Sequence, residues 1–120
     1  MSEMLNRAVA GYHMLVILAG IDGKEDRREH KIIVDFMREY FSKEIDFDYE
    51  LSFLQTIPEI DYPVHFNNAM NDFYIQSTQE ERNHFLDLAT RLVAADKNIS
   101  RKENLFLNEL YIAWEEATEE

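Results

Sequence analysis

Ile21-Asp22-Gly23-Lys24-Glu25-Asp26-Arg27-Arg28-Glu29 recurs 74 residues later as Ala95-Asp96-Lys97-Asn98-Ile99-Ser100-Arg101-Lys102-Glu103. Each copy follows an apolar helical stretch and opens a second one. Working outward from the first copy, Leu5, Val9, Tyr12, Val16 and Ala19 form the stripe of a helix over about 3–20. Asp26, with Glu29 three residues on, has the form of a capping box. It starts a second helix to about Ser42, with Ile32, Ile33, Phe36, Met37 and Tyr40 as its buried face. Around the second copy, Thr78 and Glu81 form another capping box, and Phe85, Leu88, Ala89 and Leu92 give the helix to about Ala95 its apolar face. Ser100 with Glu103 then caps a last helix that buries Phe106, Leu107, Leu110, Tyr111 and Trp114.

The repeated unit is therefore a helical hairpin, at about 3–42 and again at about 78–118. The equivalences run past the turns: Leu15 with Ala89, Leu18 with Leu92, Ile32 with Phe106, Ile33 with Leu107, Phe36 with Leu110. Turns this short force neighbouring helices to pair. Between the hairpins, Asp48 is expected to cap a short helix from about Tyr49 to Thr56. Pro58 and Pro63 bracket a break, and Pro63 suits the first turn of a helix carrying Phe66, Ala69, Met70 and Phe73. Sustained period-two alternation is absent. The reading is all-α: one domain over 1–120, a bundle of about six helices with an internally duplicated hairpin.

Composition narrows the function. There is no cysteine, which excludes disulfides, thiolate catalysis and Cys-ligated zinc. Hydrophobic residues make up 46% of the chain, a globular value. The apolar run Ala8 to Ile21 is interrupted by Tyr12 and His13 and falls short of the ~20 residues a bilayer span takes. It reads as a core helix of a soluble, cytoplasmic protein without membrane insertion. The formal charge of −12 is unevenly spread: residues 44–81 hold nine acids and no Lys or Arg. Such a field repels phosphate backbones, so nucleic acid is not an expected partner. It attracts cations or a basic protein.

The Asp-Gly turn, the capping residue and the Glu three later, set between two apolar helices, resemble the tellurite-resistance TerB family of small all-helical bacterial proteins. The second copy, Ala94-Ala95-Asp96-Lys97-Asn98-Ile99-Ser100-Arg101-Lys102-Glu103, is the nearer match, with Lys97 where the family has Gly. The first copy keeps Gly23 but has Ile21 before the Asp. The resemblance implies a non-enzymatic accessory role in tellurite or general stress resistance. It also implies a divalent-cation site on the acids of the motif, which here are Asp22, Asp26, Glu29, Asp96 and Glu103.

The residues themselves leave that site open. Asp96, Asn98 and Ser100 have the spacing of a calcium loop, but Arg101 stands where its turn glycine belongs and Leu107 where its bidentate glutamate belongs. Each turn also carries too little net negative charge for a strong hard-cation site. Asp26, Glu29, Ser100 and Glu103 serve equally as helix caps, and Asp22 and Asp96 as turn residues. His13, His30, His65 and His84 show no H-E-x-x-H or other catalytic spacing, so no enzyme is expected. His13, inside an apolar helix, reads as a hydrogen-bonded packing residue. The alternative function is a protein-interaction module. Phe47, Tyr49, Phe53, Tyr62, Phe66, Phe73 and Tyr74 crowd the acidic middle, and aromatics rimmed by acids suit a basic amphipathic helix or a second copy of the chain.

Overall fold

The computed structural model describes residues 6–19, 27–41, 45–95 and 101–118. Among them are six α-helices and no strand: α1 (Arg7–Ala19), α2 (Arg27–Tyr40), α3 (Phe47–Thr56), α4 (Tyr62–Gln76), α5 (Gln79–Ala95) and α6 (Arg101–Thr118). A single 3-10 turn, Glu59–Asp61, leads into α4. The chain is an all-α bundle. The two turns of the sequence repeat, at 20–26 and 96–100, lie outside the described residues, as do the Asp26 and Ser100 caps placed there.

α1 is the axis of the bundle. Every residue from Ala10 to Ala19 is buried, and the helix packs against all five others. From Ala10 to Ala19 the stripe expected along Tyr12, Val16 and Ala19 is therefore replaced by burial on every side; Val9 is half-buried, and Leu5 lies outside the described residues. A helix that is apolar all round belongs in an interior, and α1 satisfies that condition from Ala8 onward except at Tyr12 and His13. Its tightest neighbour is α4. Gly11 makes the approach possible: a Cβ there would lie 3.1 Å from Cε2 of Phe73.

α4, α5 and α6 meet in an aromatic cluster. The Phe73 ring stacks on Trp114 at 5.6 Å and lies 4.8 Å from Phe85, while Phe66 lies 4.9 Å from Phe106. All five are buried, and each contributes on the order of 1.5–3 kcal/mol of apolar burial. The expected faces of α4 (Phe66, Ala69, Met70, Phe73) and most of α5 (Phe85, Ala89, Leu92) are core. In α6, Phe106, Leu110 and Trp114 are buried, and Leu107 and Tyr111 only partly so.

α2 departs from its expected face. Ile33 and Met37 are fully buried, but Ile32 is 49% and Tyr40 is 45% exposed. Two residues four apart are enough to seat a helix against α1, and the wider stripe turns outward. Ile32 and Phe106, matched by the repeat, thus differ in burial. Tyr40 instead stacks on His84 of α5 at 5.1 Å.

The caps follow local chemistry. The N-cap of α3 is Asp46, whose side chain accepts from the Tyr49 N–H at 3.0 Å, not Asp48 as the sequence suggested. Starting at Asp46 puts Phe47 in the helix and in the core, where it is 6% exposed. Asp48 then lies in the first turn, where a carboxylate favours the helix dipole. The Thr78–Glu81 capping box forms as read: the Glu81 N–H donates to Thr78 Oγ1 at 3.1 Å and the Thr78 N–H to Glu81 at 2.9 Å. Glu81 also pairs with Arg7 at 2.9 Å, tying α5 to the start of α1. Pro63 sits in the first turn of α4. Arg82 closes the other end of α4, donating to the carbonyls of Tyr74 (3.1 Å) and Ser77 (2.6 Å), where a cation complements the negative end of the helix.

Candidate functional site

Of the five acids carried over from the sequence motif, Asp22, Asp26 and Asp96 lie outside the described residues. Glu29 and Glu103 fall in the first turns of α2 and α6, and their side chains likewise lie outside. Among the described residues no group of three or more His, Asp or Glu is arranged to hold a metal ion. What the fold does assemble is different: three of the four histidines converge on the junction of α1, α3 and α4 or on its margin.

His13 is at the centre, 1% exposed. Its Nε2 lies 2.7 Å from Oε1 of Glu50 on α3, and its Nδ1 lies 2.9 Å from Nε2 of His65 on α4. A carboxylate only accepts, so Nε2 of His13 carries the hydrogen and Nδ1 accepts from His65. Glu50 thus sets the tautomer of one ring and, through it, of the next. The Phe53 ring stacks on His13 at 5.8 Å and stands 6.2 Å from His65, covering the relay from the α3 side. Burial holds His13 below the ordinary imidazole range, with the Glu50 hydrogen bond opposing. Burial also lowers His65, and the neighbouring His13 lowers it further.

One residue earlier, on another side of α1, Tyr12 makes a second connection. Its hydroxyl lies 2.6 Å from Nε2 of His30 on α2 and donates to the Phe47 carbonyl at 3.3 Å. Burial, together with the nearby Asp48 and Glu50, raises the phenol well above its usual range, so it stays a neutral donor. Burial lowers His30. His30 also lines a cleft of about 450 Å³ between α2 and the start of α3, with Lys31, Asp35, Arg38, Phe47 and Asp48. Cations and anions alternate around it, and the Arg38 guanidinium lies over the Phe47 ring at 5.5 Å.

α3 is held between these two polar contacts and buries only Phe47 and Leu54. Its outer face, with the 3-10 turn and the start of α4, carries Tyr49 (64% exposed), Phe53 (41%), Ile60 (84%) and Val64 (64%). Asp46, Asp48, Glu59 and Asp61 are exposed on the same three elements. Of the aromatics the sequence grouped in the middle, Phe47, Phe66 and Phe73 are core, Tyr62 and Tyr74 are half-buried, and Tyr49 and Phe53 face outward. Tyr62 still anchors α3, donating its hydroxyl to the Leu54 carbonyl at 3.2 Å.

No spacing in the sequence ties His13, Glu50 and His65 together. The signal that was present is a single histidine in an apolar helix, which must find polar partners once buried. The partners come from helices far along the chain. His84 stands apart, exposed, 3.7 Å from Glu80 of its own helix.

These features define a small all-α protein with an internal carboxylate–imidazole–imidazole relay beneath an exposed acidic-apolar face. Comparison with protein-family models, with curated proteins and with solved structures finds no match.

Proposed function

We propose that this chain is a non-enzymatic accessory protein that acts by docking a basic amphipathic helix on the outer face of α3, the 3-10 turn and the start of α4. The stress-resistance setting implied by the TerB resemblance is the context proposed for it. The observation that carries the docking reading is the exposure of four large apolar side chains, Tyr49, Phe53, Ile60 and Val64, within residues 44–81, which hold nine acids and no Lys or Arg. Single exposed apolar residues are ordinary, whereas a run of them along adjoining elements marks an interaction surface. The surrounding acids choose the partner's sign: a second copy would bring the same negative charge, while a lysine-bearing helix gains from it.

The test is calorimetric titration with a synthetic amphipathic Leu/Lys helical peptide. Saturable binding that weakens with salt, and that Ile60→Ser and Val64→Ser together reduce at least tenfold, supports the reading. Binding that ignores those substitutions, or its absence at low salt, overturns it. A dimer that these substitutions dissociate would assign the face to self-association instead.

A further inference from the structure

We infer that the Glu50–His13–His65 relay is a proton-operated latch on α3, holding the face that carries Tyr49 and Phe53 in place and releasing it on acidification. The latch stands on geometry alone; its regulatory meaning rests on the docking reading above.

The proton count gives the mechanism. In the neutral relay, His13 donates through Nε2 to Glu50 and accepts at Nδ1 from His65 Nε2, with the two pairs 2.7 and 2.9 Å apart. A first proton enters His65 at Nδ1. His65 Nε2 still donates, every bond survives, and the chain reads carboxylate, neutral imidazole, imidazolium. On the two rings a second proton has one place to go, Nδ1 of His13, more basic than the Glu50 carboxylate and the atom at which the His65 N–H already points. Two donors then face each other, the interhelical bond is lost, and two adjacent cations, one of them fully buried, share one carboxylate. The latched state cannot take that proton and the released state can, so acid favours release.

The surroundings offset this only in part: Glu50 raises His13 and Asp72 raises His65, and burial outweighs both. α3 brings Glu50 to His13, and its Asp48 acts on Tyr12 and His30. α4 brings His65 and, further along, Asp72, whose charge acts on His65. α2 brings His30, which meets Tyr12. α5 contributes Glu81, already paired with Arg7 near the start of α1, and Glu109 of α6 is exposed. Outside the relay, α3 is held by the Tyr12 and Tyr62 hydroxyls on its Phe47 and Leu54 carbonyls, contacts at its two ends. It is ten residues long and buries two apolar side chains, the profile of a segment that opens locally at low free energy. Phe53 links latch and face, since its ring covers His13 inside while its outer side is solvent-exposed. A partner seated on Phe53 and Val64 further desolvates His65, so docking and protonation oppose each other.

Amide hydrogen exchange of the free full chain at about pH 7.5 and about pH 5.0, corrected for intrinsic rates, tests the latch. The expected result is that protection across Leu51–Leu54 falls at least about tenfold relative to α5 at the lower pH, the change one extra proton gives over one pH unit. His65→Gln keeps a donor to His13 and can rotate its carbonyl to accept when His13 is charged, so α3 protection should hold at both pH values. His84→Gln, outside the relay, should leave the wild-type response intact. Unchanged α3 protection in the wild type, or an undiminished response in His65→Gln, overturns the inference. The Leu/Lys peptide separates the two claims. Binding that weakens at the lower pH in the wild type but not in His65→Gln supports latch and docking together. Loss of α3 protection with no peptide binding at either pH keeps the latch and removes the docking face.

Discussion

Nδ1 of His13 and Nε2 of His65, 52 residues apart in the chain, lie 2.9 Å apart and share one hydrogen between α1 and α4. His13 is the one buried polar or charged side chain among the described residues, and it sits in the helix that touches all the others. A mid-helix imidazole at that place is a liability unless both nitrogens are satisfied, and Glu50 and His65 satisfy them. The consequence is that three helices are registered by polar contacts whose strength depends on proton number.

Removing the acceptor should cost more than altering it. Glu50→Ala leaves the His13 Nε2–H buried with nothing to donate to, a loss of about 1–3 kcal/mol. Glu50→Gln retains a carbonyl oxygen at the same reach and should cost about 1 kcal/mol or less. Urea unfolding of the two variants checks this, and equal losses would show that the hydrogen bond contributes nothing beyond packing.

Stability should fall on both sides of neutrality. His13, His30 and His65 are lowered by burial, so the native state binds fewer protons than the unfolded chain in weak acid. The contribution is fully present above the ordinary histidine value of about 6.5 and is lost as pH drops below it. Tyr12 has the opposite sign. Its phenol is raised, so its contribution is present below the ordinary tyrosine value of about 10 and is lost as pH rises beyond it. The urea midpoint plotted against pH should show both declines. A flat profile from about pH 7 to about pH 5 would contradict the histidine assignment.

Gly11→Ala should destabilise despite the helix. Alanine in a helix interior is favoured over glycine by about 1 kcal/mol. Here the added methyl meets Phe73 at 3.1 Å, and that ring is fixed between Phe85 and Trp114. Overpacking costs about 1–3 kcal/mol, so the net change should be a loss on the order of 1 kcal/mol. A raised Tm would show that Phe73 yields.

Thr78→Ala should cost about 1 kcal/mol, because the Glu81 N–H loses its cap. Thr78→Ser keeps the oxygen and should be close to neutral, because serine caps at least as well as threonine. Thermal unfolding of the pair checks it, and indistinguishable midpoints would place the stability of α5 wholly in its packing.

Some of this was legible in the residue order. The helical period of the apolar residues marks every helix but α3, which is read from an aspartate cap; Pro63 marks the first turn of α4, and the Thr78–Glu81 pair marks the start of α5. Such signals are local: a cap reaches three residues and an apolar face repeats within four. Where two local solutions were nearly equal, the choice was made by contact. The sequence reading places the cap of α3 at Asp48, and the fold starts the helix at Asp46, which brings Phe47 into the core. Ile32 and Tyr40 fit an apolar stripe as well as Ile33 and Met37 do, and only the seating of α2 on α1 leaves them outside.

By itself, the residue order determined helix content, the positions of the breaks and the acidity of the middle segment, because propensity, capping and charge act over a few residues. Only the tertiary structure decided that α1 is enclosed on every side, that Glu50, His13 and His65 form one relay, and that Tyr49 and Phe53 face solvent while Phe47 does not. Those outcomes depend on which helices meet, and that is set by the summed burial and hydrogen bonding of residues distant in the chain.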